Sequence, residues 1–272
     1  MTYPTLARIL TCAVAGALLG ASGRSVPELQ DEDPPGAPGA LSDAFARAGL
    51  HFDAEAGLLA VPVSVEVTNE LLEYLLVAPH GAAHESLLLT GVDPQILNAA
   101  FLALGVTPGT NASWEEKDPP PTEEELRQGA SPYEVVAPTG DGLYLYVGWR
   151  EGDETFFFRA EDLIRDLDRG RTMRRQAWTF LGSAMMRRGE DGPELFAASA
   201  EGNLINVSFF SAGHTLLTGT TRDCMKQTVW LPNAWLLPPR GSELRLVASR
   251  ARLDAPPASL AAILPLVEEA PR

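Results

Sequence analysis

Cysteine is almost missing from these 272 residues: there are two, Cys12 and Cys224. Cys12 lies inside an apolar leader, so once that leader is removed a single thiol is left. One thiol excludes an internal disulfide and leaves no thiolate cage for zinc or an iron–sulfur cluster. No cofactor is therefore expected. Lysine is equally scarce, with only Lys117 and Lys226, and the basic side chains are otherwise arginine. The 21 basic residues face 36 acidic ones, a formal net charge of −15. Such a surface repels phosphate backbones and anionic lipid, which argues against nucleic acid as a partner. No internal repeat is visible, and no apolar run reaches the roughly 20 residues of a comfortable membrane span.

The first 23 residues place Arg8 before a Leu/Ala-rich run from Ile9 to Gly20, followed by the small residues Ala21, Ser22 and Gly23. This is the layout of a secretory signal peptide, with an uncleaved anchor as the alternative. Cleavage would leave 20 basic against 36 acidic residues, a net of −16, and a secreted or periplasmic protein with no membrane attachment. Residues 24–40 (RSVPELQDEDPPGAPGA) are acidic and rich in Pro and Gly, and are expected to be a disordered linker.

Strands are expected at 57–67, 71–79, 84–90, 142–150, 154–160, 178–186, 194–200, 203–210 and 242–249, each rich in β-branched, aromatic or leucine residues and bounded by turn formers. The clearest helix follows Gly91. Asp93 suits the N-cap, Pro94 has its φ preset for the first helical position, and Gly105 supplies a left-handed stop. Its near-absence of polar positions predicts a largely buried helix. Shorter helices are expected at 41–50 and 160–167. Residues 111–132 hold six acids and four prolines and read as a solvated excursion, since the acids lack the alternate spacing of a calcium loop. The expected architecture is α+β: a mainly antiparallel sheet, one buried central helix at about 93–105, and two or three short helices. The domain would span 41–250, with 251–272 as a C-terminal tail.

The segment LEYLLVAPHGAAHESLLLTGVDPQILNAAFLALGVTPG resembles the opening motif of the YdjY domain family, a group of bacterial, often secreted proteins. The carriers of the likeness are Leu72, Glu73 and Tyr74, then His84, Glu85 and Ser86, then Gly105, Pro108 and Gly109. AEDLIRD, WTFLGS, AEGNLINV and WLLPPRGSELRLV resemble its later motifs, over residues 57–250 in all. The family has no established biochemical activity, so the resemblance implies a fold neighbourhood and a compartment rather than a reaction.

The chemistry-bearing stretch is LLVAPHGAAHESLLLTG, where His80, His84, Glu85 and Ser86 lie between apolar runs. In a strand, His84 and Ser86 would share one side. A base beside a hydroxyl permits nucleophilic catalysis, but no strained elbow, orienting acid or oxyanion loop accompanies Ser86. His80, His84 and Glu85, with His214, are candidate metal ligands of a metal-dependent hydrolase. Against both stands a structural reading in which His84 and Glu85 satisfy backbone groups at the turn. Trp178, Phe180 and Trp230 are read as packing, Asn203 as a turn residue, and Arg169, Arg171, Arg174 and Arg175 as partners of nearby acids. The resulting expectation is an exported binding or assembly module with an unknown protein or small-molecule ligand, and the metal-dependent hydrolase as alternative.

Overall fold

The last long strand of the chain finds its partners near the beginning and in the middle of the sequence. A computed structural model describes residues 38–268 apart from 188, 190, 191 and 211–213. The expected signal peptide, and the expected linker as far as residue 37, lie outside the described residues. Eight strands form a closed ring: β1 Leu58–Val65, β2 Tyr74–Val77, β3 Ser86–Leu89, β4 Gly142–Glu151, β5 Trp178–Phe180, β6 Asn203–Asn206, β7 Leu217–Thr218 and β8 Glu243–Ser249. Their order around the ring is β1-β8-β4-β5-β7-β6-β2-β3, and β3 returns to β1 through Ser64 opposite Leu89 and Val65 opposite Leu88. The β2–β3 and β6–β7 pairs are parallel. The other neighbours are antiparallel.

Alternation along the strands explains what fills the ring. Val61, Leu246 and Val147 stand opposite one another on β1, β8 and β4 and belong to the main core, together with Trp178 and Phe180 of β5. An eight-stranded barrel is just wide enough for such side chains to fill it. The residues between them, Ala60, Val247 and Tyr146, face the other way. They are covered by Leu260 and Leu264 of the C-terminal segment, so residues expected as a tail pack against the outside of the ring.

The structure thus corrects the expected fold class. It is a β-barrel with small helices, and among the described residues no helix lies at its centre. Helix Pro94–Ala103 is capped as the sequence predicts, with the Asp93 carboxylate accepting from the Gln95 and Ile96 amides. Only one face is buried: Leu97, Ala100 and Phe101 pack inward, Phe101 lying 5.7 Å from the Phe180 ring centroid, while Ile96 and Leu102 are exposed. Apolar residues on both faces concealed this, because single exposed apolar side chains are ordinary on protein surfaces. Three local expectations also change. Residues 83–85 form a 3-10 turn before β3. Residues 160–163 form another, leading into strand Ile164–Asp166 instead of continuing a helix. The expected strand at 194–200 splits into Glu194–Phe196 and the short helix Ala197–Glu201. The acidic excursion is ordered in part, with strand Ser113–Glu116 paired to Tyr133–Val136.

Candidate functional site

Strands β2 and β3 run parallel side by side yet are joined only by residues 78–85. A parallel connection normally takes a dozen or more residues, so this short one must double back within a few peptides. It does so against the turn that ends helix Ala197–Glu201. The Ala78 amide donates to the Gly202 carbonyl at 2.7 Å, the Ala82 amide to Asn203 Oδ1 at 2.9 Å, and His80 Nε2 lies 2.9 Å from the Ser199 carbonyl. The two turns touch through glycine. A Cβ on Gly81 would stand 2.6 Å from the Gly202 carbonyl oxygen, and Gly202 itself has φ +76°, a conformation that side chains disfavour.

The candidate residues of the segment do not converge. His80 is turned to Ser199. His84 has 79% of its side chain exposed, with Nε2 3.6 Å from Glu85 Oε1. Ser86 is fully buried and its hydroxyl donates to the Leu88 carbonyl at 2.8 Å, one turn of the pleat along the same strand. His214 pairs with Glu201 through Nδ1 at 3.3 Å. Among the described residues, no three His, Cys, Asp or Glu side chains stand where they could hold a metal ion.

The turn instead brings Glu85 beside Glu73, a carboxylate that the sequence did not offer as a site residue. Burial pushes Glu73 above the usual glutamate range, the neighbouring Glu85 carboxyl pushes it further, and His84 acts in the opposite direction. The adjacent Tyr74, stacked on Phe210 at 5.4 Å, is pushed up to about 12 by burial and then by Glu73, Glu85 and Glu201. The motif Leu72-Glu73-Tyr74 was visible in the sequence as a likeness. Nothing in its spacing pointed to a carboxyl pair, because Glu73 meets Glu85 only through the β2–β3 pairing.

A second polar centre lies beneath β5. Glu161 is fully buried and accepts from Arg159 Nη2 at 2.6 Å, the Gln176 amide at 3.0 Å and Trp178 Nε1 at 3.1 Å. Gln176 Oε1 in turn accepts from the Thr220 and Thr221 amides. A buried carboxylate with this many donors is satisfied, and it ties residues 159–161, 176–178 and 220–221 together. Of the arginines between them, Arg169 pairs with Asp166 and Asp223, and Arg175 pairs with Asp162.

These two polar centres sit on the motifs whose likeness the sequence carries, and a family model for the YdjY domain matches residues 50–249. The chain belongs to the YdjY domain family. No curated protein and no solved structure matches it. In this YdjY domain the HGAAHES and AEGN motifs meet at the Gly81–Gly202 contact, and the AEDLIRD and WTFLGS motifs meet at Glu161 and Trp178. The match thus covers the whole ring of strands. Among the described residues, no helix is long and apolar enough to cross a membrane.

The closing WLLPP motif of the YdjY domain presents the opposite kind of chemistry. Trp235 is 90% exposed. Beside it a cavity of about 290 Å³ lies between residues 235–239 and the hairpin of β4 with strand Glu154–Arg159. Sequence reasoning missed this surface, since an exposed tryptophan and a buried one look alike in a one-dimensional pattern.

Proposed function

We propose that this YdjY domain is exported and acts outside the cytoplasm as a non-catalytic binding or assembly module. The observation that carries the reading is Trp235, a large aromatic side chain left 90% exposed beside a cavity. Tryptophan dominates the energetics of many protein interfaces, and an exposed one beside a pocket is an anchor in search of a partner. The polar turn supports the same reading. Ser86 Oγ is committed to the Leu88 carbonyl, and His80 and His84 point to different surroundings. Export rests on the leader sequence at residues 1–23.

Two measurements test this. N-terminal sequencing of exported protein should begin near Arg24, and material still starting at Met1 overturns cleavage. Assays of ester, phosphodiester and peptide hydrolysis with added zinc should show no turnover that depends on His84. Turnover lost in His84→Ala, with zinc raising the melting temperature of the wild type alone, would replace this reading by the metal-dependent hydrolase centred on His84 and Glu85.

A further inference from the structure

We infer that the cavity beside Trp235 receives an arginine or lysine side chain of a basic protein segment. The inference rests on the binding-module reading and names its site and the chemistry of its partner. One wall is aromatic: half-buried Phe156 and Phe158 lie 6.3 Å apart, centroid to centroid, and the buried Trp149 backs them, stacked on Phe156 at 5.3 Å and 9°. Trp235 lines the same cavity and is 90% exposed. Aromatic faces of this kind attract organic cations, tryptophan most strongly.

The rim is acidic, and among the described residues no arginine or lysine pairs with these acids. Glu151 and Glu268 line the cavity. Glu154 stands directly opposite Glu151 across the end of the hairpin, so it shares the face of Trp149 and Phe156. Like charges directly opposite each other are unfavourable in a sheet. Glu151 accepts a hydrogen bond from Trp149 Nε1 at 2.8 Å, which aims its carboxylate along the cavity face. The basic residues nearby in sequence are turned elsewhere. Arg240 pairs with Glu66, and Arg150 alternates to the opposite face of β4, across from Thr155. A guanidinium or ammonium group entering beside Trp235 would meet the Glu151 and Glu268 carboxylates, with Glu154 near the hairpin end, and lie against the exposed Trp235 indole. The 290 Å³ space has room for one such group, and the 90% exposure of Trp235 leaves indole surface for an occupant that extends beyond it. A peptide chain does both.

The test is a titration of the full chain with a glycine-spaced hexa-arginine peptide, followed by tryptophan fluorescence and by the indole N–H resonances in NMR. Binding should move the Trp235 resonance. Trp235→Ala, and separately the pair Glu154→Gln with Glu268→Gln, should each weaken it at least about tenfold. A control pair of equal charge, Glu123→Gln with Glu124→Gln on the exposed helix Glu123–Arg127, should leave it within about twofold. All these side chains are exposed, so unchanged melting temperatures verify that the variants fold. Equal weakening by the control pair would mean that the peptide follows net charge, and would overturn the inference. So would binding that ignores Trp235, or tetramethylammonium binding at Trp235 as tightly as the peptide, which would assign the cavity to a small free cation. Absence of any peptide binding overturns this inference alone. The binding-module reading falls only to the His84-dependent turnover described above.

Discussion

At Gly81 and Gly202 two turns approach so closely that neither can carry a side chain. Gly81→Ala places a methyl group against a backbone carbonyl at 2.6 Å, and the backbone itself must yield. We expect a loss of about 2 kcal/mol or more, read as a lowered melting temperature. Asn203→Ala strips the Ala82 amide of its acceptor and should cost about 1–3 kcal/mol. His84→Ala, at a largely exposed ring, should stay within about 0.5 kcal/mol. If His84→Ala proves the costlier change, the turn is held by that ring after all. The pair Glu73 and Glu85 adds a dependence on pH. Glu73 is held above its usual range, so in the window between that range and its raised value the folded chain binds more protons than the unfolded chain. Stability contributed by this group therefore falls as pH rises through that window. Glu73→Gln should melt higher than wild type at pH 7, and the difference should shrink as the pH falls through that window towards the ordinary glutamate range. A constant difference across pH would remove the carboxyl pair as its cause. His84 and Glu85 could be picked from the sequence because unlike residues in an apolar run stand out. What they meet could not, since Glu73 comes beside Glu85 and His84, and Asn203 beside the Ala82 amide, only through the fold.

The helix Pro94–Ala103 tests the correction to the fold. Phe101→Ala, on the buried face, should cost about 3–5 kcal/mol, whereas Leu102→Ala, its exposed neighbour, should change the melting temperature little. Similar losses at both would restore a helix buried all round. Its start and stop were legible because capping is local chemistry carried by Asp93, Pro94 and Gly105. Its exposure was not, because the sequence says that a face is apolar and not whether anything covers it. The short segment Ala160–Leu163 shows the same limit. AEDL has helical composition, yet Glu161 is drawn into the core by Arg159, Gln176 and Trp178, and the chain leaves as a strand. Glu161→Ala, which strands the Arg159 charge, should cost about 3–5 kcal/mol in thermal or denaturant unfolding.

For the molecule as a whole, most strands were legible from alternation and turn residues, and the ring was not. Closure depends on Ser64 and Val65 meeting Leu89 and Leu88, and on β8 entering between β1 and β4. A pattern read along one chain contains no such pairing. The core that results also encloses Cys224, whose thiol burial pushes up to about 11. A neutral, enclosed thiol is a poor nucleophile. Without residues 1–23, and so without Cys12, the folded protein should resist thiol-reactive dye until unfolded, and reductant should leave its melting temperature unchanged. Rapid labelling under native conditions would mean that the barrel opens at this point.

The position of β8 also sets an order of events during synthesis. A growing chain presents β1 and β4 long before Glu243–Ser249 exists, and these two strands are not each other's neighbours. Until Glu243–Ser249 has left the ribosome, each of them exposes an unpaired edge. The nascent chain is then at its most vulnerable to pairing with a copy of itself, and a protein cut short before β8 inherits that hazard permanently.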